Sequence, residues 1–386
     1  MSRLLARLLL LLATGGLACA HAADFVAPPG PYAVGSTNMA VATSAAGDRP
    51  LVDYLNGKVD GSRSLYVDEL LSRREAAQLL KVTVPANEPG AGALAGQQLP
   101  LLLYVLYPTR ADNARPNYAF PYKDTGDNVF PHMQAPGERP IFADSAARYP
   151  LIVYSGGYNT HGLWHLAHLK QLASHGYIVV DIFHGDGRVS GYAEPVALRR
   201  VAFKAALDHV LSHPDFAGAV DTARIGASGA SAGGQTVLAM LGGADPAVPG
   251  QSFRDARLKA GFGLVPFLGA SFGIWPFQTH AWSFGRDFSG LAQVKTPFFA
   301  VYAEKDGSVS PDSVKAGVRR LGGPAWAVEM PGEGHLLSGP AEQEATAWEL
   351  LFFDAYLRDN AAARARLADV KPLAGGRGTV NYSKPR

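Results

Sequence analysis

The chain has one cysteine among 386 residues, Cys19, and it lies in the N-terminal stretch "MSRLLARLLLLLATGGLACAHAADF". If that stretch is removed, no thiol remains, which excludes disulfides, a thiolate nucleophile and cysteine-based metal sites together. Lipidation of Cys19 would require a lipobox, and Gly16-Leu17-Ala18 fits one poorly. Charge of one sign is also lacking. The formal net charge is +2, from 35 basic and 33 acidic residues, and Arg3 and Arg7 of the N-terminal stretch account for the excess. Nothing in that balance calls for nucleic acid or an anionic membrane as a partner. Beyond the N-terminus no segment approaches the ~20 apolar residues that span a bilayer, so no stable membrane insertion is expected.

What is present at the N-terminus is two arginines, an apolar run from Leu8 to Leu12, and small residues ending at Ala20-His21-Ala22. That order reads as a secretory signal peptide over residues 1–23, with cleavage near Ala22 or Ala23; a buried first helix is the alternative. A periplasmic or secreted protein is expected. The remainder, 47% hydrophobic and 18% charged over the whole chain, reads as a folded single domain over 24–386.

After "APPGPYAVGSTNMAV", a Pro- and Gly-rich approach to edge strands, the region 47–98 is irregular apart from one helical piece, "VDELLSRREAAQLL". Apolar strand-length runs then alternate with longer amphipathic stretches. Strands are expected at Leu101 to Tyr107, Leu151 to Ser155, Tyr177 to Ile182, Arg224 to Ser228, Ala260 to Val265, Phe298 to Ala303 and Trp326 to Met330. Their runs are continuous instead of alternating, as suits strands buried on both faces of a parallel sheet. Between them, Glu194 to Ser212 carries Phe203, Leu207, Val210 and Leu211 on one helical stripe. Alternation of strand and helix implies an α/β fold, a mostly parallel twisted sheet flanked by helices. Insertions interrupt it near 109–140 and 266–288, the second aromatic and Gly-rich.

The stretch "RIGASGASAGG" holds two serines. Gly229-Ala230-Ser231-Ala232-Gly233 fits the G-x-S-x-G nucleophile elbow, whereas the frame centred on Ser228 ends in Ala230. An elbow serine sits on a strained turn from strand to helix, so its neighbours must be small. Ser231 has a strand run before it and the helical run "GGQTVLAML" after it; Ser228 falls inside the strand. A serine hydroxyl needs a base, and the base an orienting acid, in the chain order Ser, Asp or Glu, His. Asp306 in "AEKDGSVSP" lies on a turn just past a strand, with Glu304 its rival closer to the strand. His335 in "GEGHLL" lies on a glycine-flanked loop after the last strand run. The order is satisfied.

From about Gly30 onward, the pieces "GPYAVGS", "YPLIVYSGGYN", "LASHGYIVVDIFHGDG", "RIGASGASAGG", "AEKDGSV" and "GEGHLL" make the chain resemble α/β-hydrolases of the dienelactone hydrolase and bacterial platelet-activating-factor acetylhydrolase type. It is similar also to the cutinase-like polyester hydrolases. The resemblance implies the α/β-hydrolase fold, no cofactor, and an oxyanion hole from the backbone N–H groups of Ala232 and Tyr158. The chain departs from that group in having Gly156-Gly157 where His-Gly is common, and Ala230 where His is frequent.

Other signals compete with this reading. His161, His165 and His168 share one helical face and could hold a metal, but no acidic residue stands near them in the sequence; a partly exposed structural face is expected and no metal. His184 and Asp186 form an alternative acid–base pair. Trp275, Phe277, Trp282 and Phe284, with Tyr158 and Trp164, are candidates for an apolar acyl or aromatic pocket, or else for a hydrophobic patch under a long loop. The expected activity is hydrolysis of a small-molecule or polymeric carboxylic ester through Ser231, His335 and Asp306. An amidase or exopeptidase of the same fold, and a catalytically silent binding protein, are the alternatives.

Overall fold

The structure, a computed structural model, describes residues 25–39, 80–88, 91–119, 127, 129–134, 138–158, 164–184, 193–247, 250–268 and 284–385. Among the described residues the strands are β1 (Ala33–Met39), β2 (Leu80–Thr83), β3 (Gln98–Thr109), β4 (Tyr118–Ala119), β5 (Val129–Phe130), β6 (Tyr149–Ser155), β7 (Ile178–Phe183), β8 (Val220–Ala230), β9 (Leu258–Leu264), β10 (Phe298–Ala303), β11 (Ala325–Met330) and β12 (Thr379–Lys384). Among the described residues the helices of eight or more residues are α1 (Leu166–Ser174), α2 (Ala193–Ser212), α3 (Ala232–Met240), α4 (Pro311–Arg320), α5 (Gly339–Leu357) and α6 (Ala361–Ala368).

One ten-stranded sheet runs β1-β3-β7-β6-β8-β9-β10-β11-β12, with β2 paired to β3 off that path. Every neighbouring pair from β7 to β11 is parallel, while β1, β2, β3 and β12 are joined in antiparallel register. The architecture is therefore α/β, a mixed sheet parallel through its middle and flanked by helices. The runs read from the sequence occupy the central strands; β10 has the expected limits and the others shift by one or a few residues. The 109–140 insertion contributes the short β4–β5 pair. The helical piece expected in the irregular region falls outside the described residues except for Leu80, which opens β2.

Side chains of successive strand residues enter opposite layers. Ile152, Tyr154, Phe299 and Val301 pack toward α1, α5 and α6, whereas Leu151, Val153, Phe298 and Ala300 pack toward α2, α3 and α4. Because β6 and β10 are buried at every residue, both faces of the sheet need apolar residues, which explains the continuous runs. The α5 side is aromatic: Phe299 stacks on Phe262 at 5.6 Å and on Trp348 at 5.5 Å. In parallel strands all carboxyl ends emerge at one edge, so the turns after β6, β8, β9, β10 and β11 meet there.

Candidate active site

Ser231 is the single residue between β8 and α3. Its φ of 51° and ψ of −116° lie outside the regions that residues with a Cβ normally occupy, a strain of order 1–3 kcal/mol. The neighbours show what permits it. A Cβ on Gly229 would stand 2.5 Å from the backbone of Gly233, and one on Gly233 would stand 1.7 Å from the Ser155 carbonyl oxygen. No side chain fits at either place, so the glycine spacing of the motif is a packing requirement of this turn.

Backbone bonds hold the turn from the β9 side. Ser231 N–H donates to the Leu264 carbonyl at 2.9 Å, and Phe267 N–H donates to the Ser231 carbonyl at 2.9 Å. The connecting residue Val265 is itself at φ 42°, a rare conformation for a β-branched side chain, so two strained turns brace one another. Ser228, three residues earlier, is fully buried within β8. Its position in the core gives it no access to a substrate.

His335 Nε2 lies 3.1 Å from Ser231 Oγ, and His335 Nδ1 lies 2.7 Å from Asp306 Oδ2. Asp306 Oδ1 accepts the backbone N–H groups of Ser308 and Val309, each at 2.8 Å. With one carboxylate oxygen committed to the turn, the other faces the imidazole. An acid at Nδ1 fixes the proton there, which leaves the Nε2 lone pair toward the serine hydroxyl. The Asp306 carboxylate is 3% exposed and the imidazole 22%, so the histidine is accessible while its acid is covered.

Glu304, the rival acid, does not meet the imidazole. Its carboxylate accepts Gly332 N–H at 2.7 Å, tying the histidine loop to the end of β10. Lys305 N–H donates to the Glu333 carbonyl at 2.8 Å beside it. Glu333 then closes the loop by accepting Ser338 N–H and Ser338 Oγ–H, both at 2.8 Å. The loop that carries His335 is thus fastened on both flanks.

Ala232 opens α3, and the first N–H groups of a helix have no partner within it. Tyr158 is half-buried on the turn after β6, and Ser155 pairs with Gly229 across the sheet, so that turn adjoins the serine. Beneath it Arg199, 1% exposed, donates to the Gly156 and Gly157 carbonyls, each at 2.7 Å. Ser155 Oγ is 3.4 Å from Arg199 Nη1 and 2.8 Å from His184 Nε2. His184 is therefore engaged under the turn and buried; Asp186, its expected partner, lies outside the described residues.

The histidine face of α1 differs from its expectation. His168 is buried, not partly exposed, and acidic residues do stand near: Glu349 Oε2 is 2.8 Å from His168 Nε2 and Glu342 Oε1 is 2.7 Å from His165 Nδ1. Both acids come from α5, which no local reading of α1 could supply. His161 lies outside the described residues, and among those described no cluster of three His, Cys, Asp or Glu is arranged to hold a metal. Burial opposes the His168 imidazolium, but the charge and hydrogen bonding of Glu349 outweigh it and raise the pKa above the ordinary value. Asp181 on β7 is buried, and desolvation pushes its pKa well above the usual carboxylate range.

Of the aromatic pocket candidates, Trp275, Phe277 and Trp282 lie outside the described residues, and Trp164 is half-buried just before α1. Phe284 does not wall a cleft beside the serine. It is fully buried in the α2–α3–α4 layer, and a Cβ on Gly243, beyond the far end of α3, would meet its ring at 2.5 Å. Arg199 and the Val265–Phe267 turn belong to no motif visible in the sequence. A signal existed for the first: Arg199 stands four residues before Phe203, on the stripe Phe203–Leu207, where an apolar residue is expected.

Among the described residues no helix is long and apolar enough to cross a membrane. No family model matches the chain, and no curated protein matches it.

Proposed function

We propose that the chain is a serine hydrolase of the α/β-hydrolase fold that cleaves carboxylic esters through an acyl-enzyme. The observation that carries the reading is the continuous contact from Ser231 Oγ to His335 to Asp306, 3.1 Å and 2.7 Å, with the serine on a strained strand-to-helix turn. Ser231 attacks the ester carbonyl while His335 takes its proton; the imidazolium, steadied by Asp306, then protonates the departing alkoxide. Water adds to the acyl-enzyme by the same base and frees the acid. The N–H groups of Ala232 and Tyr158 hold the oxyanion in both halves, and donors of that kind contribute about 3 kcal/mol each to the barrier reduction. The cycle uses only these side chains and amides. The N-terminal pattern accords with export, so the substrate is proposed to be met outside the cytoplasm.

Pre-steady-state turnover of a p-nitrophenyl ester by the mature chain and by Ser231→Ala tests this. A burst of one nitrophenolate per chain, absent from the variant, is expected; equal turnover by the two excludes Ser231. If graded amides are cleaved faster than the matching esters, the activity is an amidase instead.

A further inference from the structure

The turn after β6 has a property that the triad does not explain. Gly156 and Gly157 follow one another, and a Gly-Gly segment can rotate its peptide planes with little steric resistance. A donor site made from such a segment would present a carbonyl as readily as an N–H. Arg199 removes that freedom. Its Nη1 and Nη2 reach the carbonyls of Gly156 and Gly157, each at 2.7 Å, from a guanidinium that is almost entirely buried.

In a trans peptide the C=O and the following N–H point to opposite edges of one plane. Holding the Gly157 carbonyl on the arginine therefore turns the Tyr158 N–H away from it. The guanidinium is a rigid planar fork, so its two bonds set both planes at once, which a lysine ammonium cannot do. A cation bonded to an amide oxygen also polarises that amide and strengthens its N–H as a donor. The turn is seated against the elbow, because the position a Cβ would take on Gly233 is 2.8 Å from the Gly156 oxygen.

We propose that Arg199 is a positioning residue for the oxyanion hole, which it keeps formed by fixing the Gly156–Tyr158 backbone; this rests on the ester-hydrolase reading. Arg199 acts through the Gly156 and Gly157 carbonyls and not on the reacting atoms. Its effect is confined to the negative oxygen that develops during the reaction, so it acts on kcat and leaves substrate binding nearly alone.

The test compares the mature chain with Arg199→Lys and Arg199→Gln on a p-nitrophenyl ester, with melting temperature measured alongside. A second readout is inhibition by an alkylboronic acid, whose tetrahedral serine adduct places an oxygen in the hole. Losing the aim of one donor is expected to lower kcat by roughly 10²–10³-fold with KM within about twofold. Boronate affinity should weaken while affinity for the ground-state acid product holds. If Arg199→Gln does not fold, Arg199→Lys decides, since it retains the buried cation and most of the volume. Retained kcat, or a fall in melting temperature with boronate affinity unchanged, would overturn the proposal. A wild-type chain with no ester turnover would instead remove the reading on which it stands.

Discussion

Two clusters in this molecule hold the same three chemical groups. At the carboxyl edge of the sheet, His335 sits between Asp306 at 2.7 Å and Ser231 at 3.1 Å. Between α1 and α5, His168 sits between Glu349 at 2.8 Å and the Thr346 hydroxyl at 2.7 Å. Hydroxyl, imidazole and carboxylate are within contact in both, yet the second set is sealed: the side chains of His168 and Glu349 are 0% exposed, against 22% for His335.

The hydrogens are distributed differently as well. Thr346 Oγ donates to the Glu342 carbonyl at 2.7 Å, so it can only accept from His168 Nδ1–H. With Nε2 2.8 Å from the Glu349 carboxylate, which raises its pKa against the opposing effect of burial, His168 is biased toward the imidazolium form. A protonated histidine cannot be a base. Around Ser231 the acid again lies across the ring from the hydroxyl, but the hydroxyl meets Nε2 instead of Nδ1, and a helix N-terminus begins at the next residue. The comparison teaches that what these three groups can do together depends on where the hydroxyl proton is committed and on access.

The sharpest way to break the comparison is to remove each hydroxyl. Ser231→Ala is expected to lower ester kcat by about 10⁴–10⁶-fold, whereas Thr346→Val should leave kcat within about twofold; steady-state turnover checks both. Next come the acids. Asp306→Asn should lower kcat by roughly 10⁴-fold with little change in melting temperature, because the imidazole tautomer is lost but the turn persists. Glu349→Gln should do the reverse, costing about 3–5 kcal/mol of stability by chemical denaturation, since it leaves a buried imidazolium unpaired, while the folded fraction keeps its kcat.

A smaller effect concerns pH. The pKa of His168 is raised in the folded chain, so its stabilising contribution is complete below the unfolded value of about 6.5 and disappears as pH rises through the folded value. Subtracting the stability of His168→Gln from that of the wild type across pH 5.5 to 9 should give a difference that shrinks upward. A flat difference would mean that His168 is neutral. Asp181 has a limb of the same sign, since its folded pKa is raised well above the usual carboxylate range: its ionisation in the folded state is resisted, so stability declines as pH rises from about 4 toward the folded value. Asp181→Asn should flatten that limb and raise stability near pH 8, read from denaturant midpoints.

The same contrast explains what was legible in the sequence. Central strands announce themselves because burial on two faces demands unbroken apolar runs such as "FFAVYA". Edge strands have no such demand: β12, "TVNYSK", is polar at alternate positions and gives no strand signal, and the first residues of β8, "VDTAR", are equally mixed. Ser231 was separable from Ser228 because the glycine spacing is local, and the turn geometry depends on it within a few residues. The partners of His168 were not readable, since Thr346 lies 178 residues away on a helix whose placement against α1 only the fold sets. Phe284 takes the second of its two expected readings, a buried hydrophobic patch, for a related reason. Following a strand that points to the site does not place a residue there, because the connection returns to the other end of α3 before β10 begins.

The most direct measurement is intact mass followed by peptide mapping of the purified chain after treatment with a fluorophosphonate, which reacts with a serine only when a neighbouring base activates it. One adduct per chain, on the peptide containing Ser231 and absent from Ser231→Ala, is the result predicted. No adduct, or one on any other residue, would contradict the assignment of Ser231 as the nucleophile.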